Sequence, residues 1–374
     1  MKLQMVDLLG QYKKIKNEID KAVIEVIESS AYINGPKVKQ FQQNLEKYLD
    51  VKHVIPVANG TDALQIALMG LGLKPGDEVI VPAFTYVATA EVIALLKLTP
   101  IMVDVDPDTY NLTGEIFEKA ITSKTKAVVP VHLFGQTADM ENIIKIAKKY
   151  NIAVIEDNAQ AIGAIYTYND GTQKQAGTIG DIGTTSFFPA KNLGAFGDAG
   201  AIFTNNDHLA NEMRMIANHG QSKRYYHDRI GVNSRLDSIQ AAVLDIKLKY
   251  LDDYANARRK AADYYDKAFK DIEEIQTPIR SENSTHVFHQ YTMRIKNGKR
   301  DELNQYLNSK EIPNNIYYPV PLYEQEAFSH LAGAIDFLPA TDMLCKEVIS
   351  LPIHTEMTEE IQDIIIEAVR NFFN

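Results

Sequence analysis

Cysteine is almost absent from this chain of 374 residues, which contains only Cys345. A single cysteine excludes an internal disulfide and a cysteine-based metal cluster, and it favours a reducing cytoplasm as the location. We expect Cys345 to be buried, as free cysteines usually are. No stretch approaches the about 20 consecutive apolar residues that cross a membrane, and the charged amino-terminal segment is unlike a secretory signal. We therefore predict a soluble protein with no membrane partner.

Basic residues are in the minority, since 39 Lys and Arg face 49 Asp and Glu, for a formal net charge of −10. Proteins that bind nucleic acid through phosphates need a basic face, so the composition argues against a nucleic-acid partner. The chain also lacks the glycine fingerprints of dinucleotide and P-loop proteins and the G-x-S-x-G motif of serine hydrolases. His286 and His289 have no partners at a metal-site spacing. We predict no metal site and interpret both histidines as strand or surface residues.

Short apolar runs alternate with helical patterns through the first 204 residues. The predicted strands are 53–57, 78–82, 99–104, 127–134, 152–157, 183–188 and 200–204, and the predicted helices between them include 61–69, 88–96 and 140–149. Runs without strict alternation are typical of strands covered on both faces. The pattern predicts an α/β fold whose large domain has a mostly parallel seven-stranded central sheet flanked by helices.

The remaining chain predicts a smaller C-terminal α+β domain. A helical stripe begins at residue 237, and strands at 274–278 and 287–295 precede a helix at 303–307. A chain of this length usually exceeds one core, so we place a large domain at residues 1–249 and a small one at 250–374.

Ligands of open parallel sheets bind beyond the carboxyl ends of the strands, so the residues that follow the apolar runs are the informative ones. Asn59-Gly60-Thr61 leads into a helix and could bind an anion with free N–H groups, although it is also an ordinary capped turn. Asp157 ends an apolar strand and either caps a helix or pairs with the ring nitrogen of pyridoxal 5′-phosphate (PLP).

Lys191 is the most unusual of these residues. Most lysines are solvated, but Phe187, Phe188 and Phe196 surround this one in the sequence. Desolvation lowers the pKa of an amine and makes it nucleophilic. By contrast, Arg229 and Asn233 lie in a charged segment that the residues alone describe best as a solvated loop.

Many segments, in the same order, resemble the DegT/StrS family of sugar-nucleotide aminotransferases, which are PLP enzymes of fold type I. The matching segments are YINGPKVKQF, VANGTDAL, GDEVIVPAFTYVATA, VDVDPDTYNL, VHLFGQTADM, IEDNAQA, SFFPAKNLGAFGDAGAIFTN, GVNSRLDSIQAA, YYPVPLY and SLPIHTEM. The resemblance implies that Lys191 bonds to PLP and moves a proton, and that Asp157 pairs with the pyridine nitrogen. It further implies that Gln160 lies beside the ring hydroxyl and that Tyr86 stacks on the ring.

The resemblance also implies how the phosphate is held. Gly60, Thr61 and Ser186 match the phosphate cradle, and Asn233 matches an asparagine that reaches the phosphate from the neighbouring subunit. It therefore implies a homodimer with shared active sites.

The implied reaction moves an amino group from L-glutamate to a nucleotide-linked keto sugar, with the cofactor cycling through pyridoxamine 5′-phosphate (PMP). The segments are most similar to the branch that aminates UDP- or dTDP-linked 3-keto sugars for surface polysaccharide or glycan precursors, including 3-keto uronic acids. Arg229 could pair with a uronate carboxylate in two-point fashion. Tyr317 and Tyr318 are further candidates for substrate binding, although many relatives have histidine at position 317.

Three alternatives stay open at this point. The substrate could be a 4-keto nucleotide sugar, or a free amino acid or small ketone. The protein could also be a catalytically silent regulatory relative, but retention of Lys191, Asp157, Ser186 and Asn233 argues against that hypothesis. Relatives that deoxygenate sugars carry histidine at the lysine position, so Lys191 favours transamination over dehydration.

Overall fold

A computed structural model of the protein describes residues 3–329 and 337–374. Residues 1–2 and 330–336, which belong to the predicted large and small domains respectively, lie outside the described residues. The α-helices are α1 (Leu8–Lys14), α2 (Lys16–Ser29), α3 (Pro36–Leu49), α4 (Gly60–Gly70), α5 (Ala88–Leu95), α6 (Gly114–Lys119), α7 (Met140–Tyr150), α8 (Asp207–Ala217), α9 (Ser238–Leu248), α10 (Leu251–Phe269), α11 (Arg300–Ser309), α12 (Pro339–Glu347) and α13 (Glu359–Phe373). The β-strands are β1 (His53–Val57), β2 (Glu78–Pro82), β3 (Thr99–Val103), β4 (Thr125–Val128), β5 (Ala153–Asp157), β6 (Ile165–Thr167), β7 (Gln173–Gln175), β8 (Ile182–Ser186), β9 (Gly200–Thr204), β10 (Gln221–Lys223), β11 (Tyr226–His227), β12 (Ile275–Gln276), β13 (Tyr291–Ile295) and β14 (Val348–Leu351).

A seven-stranded sheet forms the centre of the protein, in the order β1-β9-β8-β5-β4-β2-β3. Strand β9 pairs antiparallel with β1 and β8, and the other neighbours pair in parallel. Helices α4, α5 and α8 pack on one face, whereas α3, α6, α7 and α9 pack on the other. Coverage of both faces explains the continuous apolar runs in the sequence. The predicted α/β fold with a mostly parallel sheet is confirmed.

The sheet strands match their predicted positions closely, with one correction. The predicted strand at 127–134 ends at Val128, because Pro130 has no N–H for a strand ladder. The chain still follows β5 beyond that point, through hydrogen bonds from the Asp157 N–H to the Pro130 carbonyl and from the His132 N–H to the Asp157 carbonyl. A single 3₁₀ turn at Leu133–Gly135 then turns the chain away.

A second correction concerns the predicted strand at 287–295, which begins only at Tyr291. Phe288 has a positive φ of 44°, which a strand cannot accommodate. The residues before Tyr291 bond instead to the 3₁₀ turn, since the Val287 N–H donates to the Gly135 carbonyl at 2.8 Å. This part of the chain is neither strand nor surface, and it carries both His286 and His289 into buried positions.

The C-terminal region has its own apolar cluster beneath the antiparallel sheet β12-β13-β14 and helices α10, α11 and α13. Tyr265, Phe269, Phe288 and Tyr291 are its largest buried side chains. Helix α10 joins the two regions. Leu251 at its start packs in an apolar cluster of the central sheet, and Phe269 at its end packs in the C-terminal cluster. The α+β character agrees with prediction, whereas the boundary at residue 250 stays a prediction.

Two composition-based expectations can be compared with the structure. Cys345 is buried as expected, and burial raises the pKa of its thiol to about 12. Among the helices of the described residues, none is both long and apolar enough to cross a membrane.

Candidate active site

A cavity of about 860 Å³ opens at the carboxyl ends of β1, β5 and β8. Nine of the residues predicted from the sequence line it: Gly60, Thr61, Tyr86, Asp157, Gln160, Ser186, Lys191, Tyr317 and Tyr318. The first seven are far apart in the chain but close in space because parallel strands deliver their following residues to one edge of the sheet, whereas Tyr317 and Tyr318 come from the C-terminal region.

The start of helix α4 forms an anion-binding corner of this cavity. The Asn59 side chain caps the helix by accepting from the Asp62 N–H at 2.8 Å. The N–H groups of Gly60 and Thr61 have no acceptor among the described residues and lie at the positive end of the helix. A Cβ on Gly60 would come within 2.7 Å of the Ser186 Cβ. Glycine is therefore required for the close approach that brings the Ser186 hydroxyl to this corner.

Asp157, the last residue of β5, presents a buried carboxylate to the cavity. The Thr89 hydroxyl donates to its Oδ2 at 2.7 Å, and the Ala159 N–H donates to its Oδ1 at 3.1 Å. A carboxylate accepts about four hydrogen bonds in all. Lone pairs remain for a cationic N–H in the cavity, which is the partner that a buried carboxylate needs.

The neighbouring Glu156 points to the opposite side and has a different environment. Its carboxylate accepts from the N–H groups of Ile179 and Gly180 at 2.6 Å each and from the Gly177 N–H at 2.9 Å. His132 Nε2 lies 2.8 Å from it, and the Ala138 N–H donates to His132 Nδ1. Because Nδ1 is an acceptor, Nε2 carries the hydrogen and donates to Glu156. Glu156 thus fixes the backbone around β5, while Asp157 faces the cavity.

Lys191 lies on a tight turn after β8, where its N–H donates to the Phe188 carbonyl at 2.8 Å. Burial lowers the pKa of the Lys191 amine to about 8, and the nearby negative charge of Asp157 opposes that shift. The amine is therefore much closer to its neutral, nucleophilic form at physiological pH than an ordinary lysine.

Gln160 connects the backbone to an aromatic wall. Its Oε1 accepts from the Phe134 N–H at 2.7 Å, so its Nε2 is free to donate to the Tyr318 hydroxyl at 3.2 Å. The Tyr318 ring contacts Tyr86, with centroids 6.2 Å apart, and burial raises the pKa of its phenol. Tyr86 itself is 57% exposed at the mouth of the cavity. Its position leaves a ring face available for stacking.

Two predicted residues are not brought to the cavity by their own chain. The Arg229 guanidinium donates to Glu212 Oε2 at 3.0 Å on the surface, and Asn233 is exposed beside Asn218. Neither residue lines the cavity. Both roles stay predictions, and the predicted role of Asn233 depends on a second subunit.

A sequence comparison identifies the family of this chain. The profile of the DegT/DnrJ/EryC1/StrS aminotransferase family matches residues 13–370. The chain belongs to this family. It is 45% identical over 369 residues to UDP-2-acetamido-2-deoxy-3-oxo-D-glucuronate aminotransferase from Pseudomonas aeruginosa, covering 99% of this chain and 100% of the relative. It is also 44% identical over 375 residues to a "Pleiotropic regulatory protein" from Geobacillus stearothermophilus, covering 100% of this chain and 99% of the relative.

Solved structures of the family agree. The chain superimposes on a DegT DnrJ EryC1 StrS aminotransferase from Brucella abortus with a TM-score of 0.93 at 41% identity, with both chains fully covered. It also matches NtdA from Bacillus subtilis with bound cofactor PMP, with a TM-score of 0.89 at 31% identity, covering 99% of this chain and 83% of that one. This aminotransferase therefore uses PLP and cycles through PMP, as predicted.

The cavity fits that cofactor on its own chemistry. The corner at Gly60, Thr61 and Ser186 suits a phosphate. Asp157 suits a protonated ring nitrogen, and the Lys191 amine suits an aldehyde carbon. When bound, PLP supplies an electron sink for negative charge that develops on a substrate carbon. In the described part of the chain, no group of three or more His, Cys, Asp or Glu side chains could hold a metal ion.

Sequence analysis missed two residues of the site, Thr89 and His289. Thr89 holds Asp157, but a threonine within a helix gives no signal in a single sequence. His289 lines the cavity with Lys191, so its interpretation as a strand or surface residue was wrong. Periodicity alone did not show that the strand begins only at Tyr291, so that His289 lies outside it.

Proposed function

We propose that this aminotransferase moves the amino group of L-glutamate to a UDP- or dTDP-linked 3-keto sugar, with a 3-keto uronic acid as the preferred class. The observation that carries the proposal is the full set of Lys191, Asp157 and the anion corner in one cavity. The cavity volume of about 860 Å³ leaves room for a ligand beyond the cofactor. The 3-oxo-glucuronate named for the Pseudomonas relative supports the sugar class.

The residues of the chain divide the work by position. The Lys191 amine, with a pKa of about 8, takes a proton from one carbon of the amine-exchange system and returns it to another. Its low pKa keeps both the proton-accepting and proton-donating forms accessible near neutrality. Asp157 keeps the ring nitrogen protonated. Tyr86, at the mouth of the cavity, would stack on the cofactor ring.

Sugar recognition is assigned to three residues. Tyr317 and Tyr318 line the cavity, and the Asn315 side chain donates to the Tyr317 hydroxyl at 2.9 Å. This bond fixes the Tyr317 ring. Arg229 of one subunit is proposed to bind the uronate carboxylate of a substrate in the cavity of its partner. It would then give up its surface ion pair with Glu212.

A homodimer with shared sites is the proposed assembly. Several large apolar side chains are exposed near the cavity or on the segment that carries Asn233: Phe188 at 53%, Phe196 at 44%, Tyr225 at 76% and Ile230 at 87%. Exposed apolar side chains of this size are typical of protein interfaces. A second copy that covers them would also bring Asn233 to the anion corner. Synthesis of surface polysaccharide precursors in the cytoplasm remains part of the proposal.

The sugar assignment is tested by supplying the PLP-loaded enzyme and L-glutamate with matched UDP-linked substrates. A 3-keto uronate, the corresponding neutral 3-keto sugar and a 4-keto sugar are compared by the rate of 2-oxoglutarate formation and by mass spectrometry of the amino sugar. We expect the highest kcat/KM for the 3-keto uronate. Arg229→Ala should remove most of that preference and leave the neutral sugar unaffected. Equal losses for both sugars, or preference for the 4-keto sugar, would contradict the assignment.

A further inference from the structure

The loop that carries Lys191, residues 187–195, closes on itself. The Ala195 N–H donates to the Phe187 carbonyl at 2.8 Å, and this bond joins the two ends of the loop with Lys191 at its middle. Phe187, Leu193 and Ala195 are buried in the apolar cluster between the central sheet and helices α3 and α9. The position of the Lys191 backbone therefore depends on what holds the base of the loop.

Helix α9 holds that base at two points, one on each side of Ala195. The Lys247 Nζ donates to the Gly194 carbonyl at 2.8 Å, and the Gln240 Oε1 accepts from the Phe196 N–H at 2.8 Å. Lys247 and Gln240 are seven residues apart, which is about two helical turns, so they share one face of the helix. One rigid helix thus fixes both an N–H and a carbonyl of the chain that follows Lys191.

The Lys247 side chain is an expensive way to hold a backbone carbonyl. Lys247 is 2% exposed, and burial lowers the pKa of its amine to about 8. Among the described residues, its hydrogen-bond partner is the Gly194 carbonyl, and no carboxylate pairs with it. The Phe196 ring, whose centroid is 5.0 Å from Nζ, is its other favourable contact. A buried ammonium without a counter-ion costs free energy that an apolar side chain would not, so stability alone does not account for Lys247. Features of this kind are expected where they serve function.

We propose that Lys247 is a positioning residue for Lys191: its ammonium, with Gln240 beside it on α9, fixes the base of the 187–195 loop and so holds the Lys191 amine in place for its bond with PLP. Lys247 does not line the cavity, and it acts through the Gly194 carbonyl. The inference rests on the predicted bond between Lys191 and PLP and not on the identity of the sugar.

The proposal is tested by the affinity of the full-length protein for two forms of the cofactor. PLP has an aldehyde that bonds to Lys191, whereas PMP has an amine in its place and cannot form that bond. Both forms offer the same phosphate and ring nitrogen to the rest of the cavity. Lys247→Met keeps the length of the side chain and removes the donor. It should weaken PLP by about tenfold and PMP by less than about twofold in fluorescence titrations.

This split separates positioning from a general structural role. Equal weakening of PLP and PMP in Lys247→Met would overturn the proposal, because the whole cavity would then have changed. Unchanged affinity for both would overturn it as well. Lys249→Met is the matched control, since the Lys249 side chain directly after α9 is 56% exposed. It should bind both forms like the wild type, and the same split in this control would also overturn the proposal.

Gln240 supplies an independent pair of variants if Lys247→Met does not fold. Gln240→Leu removes the acceptor of the Phe196 N–H, whereas Gln240→Glu keeps an acceptor oxygen. Weakening of PLP alone by about threefold in Gln240→Leu but not in Gln240→Glu supports the proposal, and equal affinities in the two variants overturn it.

Failure of the proposed function is distinguished by borohydride reduction of the PLP-loaded wild type. If the cofactor is not fixed to the Lys191 peptide in mass spectra, the role of Lys191 fails and the positioning role of Lys247 fails with it. If it is fixed there and the Lys247 and Gln240 variants show no split, only the positioning role fails.

Discussion

Replacing Lys191 with methionine should stabilise the cofactor-free protein, although it removes the residue that reacts with the cofactor. Burial lowers the pKa of Lys191 from 10.5 to about 8, so folding penalises its charged form. Below about pH 8 the lysine is charged in both states, and the folded protein carries the full cost. The difference of about 2.5 pKa units corresponds to about 3 kcal/mol. Methionine has a similar length and no charge to desolvate.

The pH dependence of this gain has a definite sign. Between about pH 8 and 10.5 only the unfolded wild-type chain binds the proton, so wild-type stability rises with pH and the advantage of Lys191→Met shrinks. We expect a gain of about 3 kcal/mol at pH 7 and less than about 1 kcal/mol at pH 10, measured by urea unfolding of the cofactor-free proteins. The exposed Lys174 provides the control, since Lys174→Met should give no pH-dependent gain. A variant no more stable than wild type at pH 7 would refute the reasoning.

Two further substitutions test the different roles of Asp157 and Glu156 at the end of β5. Thr89→Val removes the hydroxyl that donates to Asp157, and loss of a hydrogen bond to a charged group costs about 1.5–3 kcal/mol. We expect PLP to bind the cofactor-free variant at least about tenfold more weakly by fluorescence titration; unchanged affinity would count against the role of Asp157. Glu156→Gln places an amide NH₂ among N–H donors and should lower the free energy of unfolding by about 2 kcal/mol or more. A free energy of unfolding equal to that of the wild type would contradict the structural role of Glu156.

The sequence contained most of the fold because the central sheet is covered on both faces. Strands β1, β2 and β9 begin and end where their apolar runs do. The same alternation located Asp157 and Lys191, since the ends of parallel strands meet at one edge. The strand predicted at 287–295 was too long because Phe288 adopts a positive φ, and its carbonyl accepts a hydrogen bond from Arg258. A contact with a residue thirty positions away leaves no local pattern in the sequence.

The remaining parts of the site depend on contacts that no single sequence displays. Thr89 reaches Asp157 across 68 positions of chain, and the hydrogen bond between Gln160 and Tyr318 spans 158. Asn233 is a different case, because its predicted role needs a second copy of the chain. Family resemblance supplied that expectation, and physical reasoning on one chain cannot replace it.

The most direct test of the central claim is the visible absorption spectrum of the PLP-loaded protein before and after addition of L-glutamate, with Lys191→Ala in parallel. The account predicts a yellow cofactor band in the wild type that glutamate bleaches, with release of 2-oxoglutarate, and no bleaching in the variant. A wild-type protein that stays colourless when PLP is supplied, or a band that bleaches equally well in Lys191→Ala, would contradict the account.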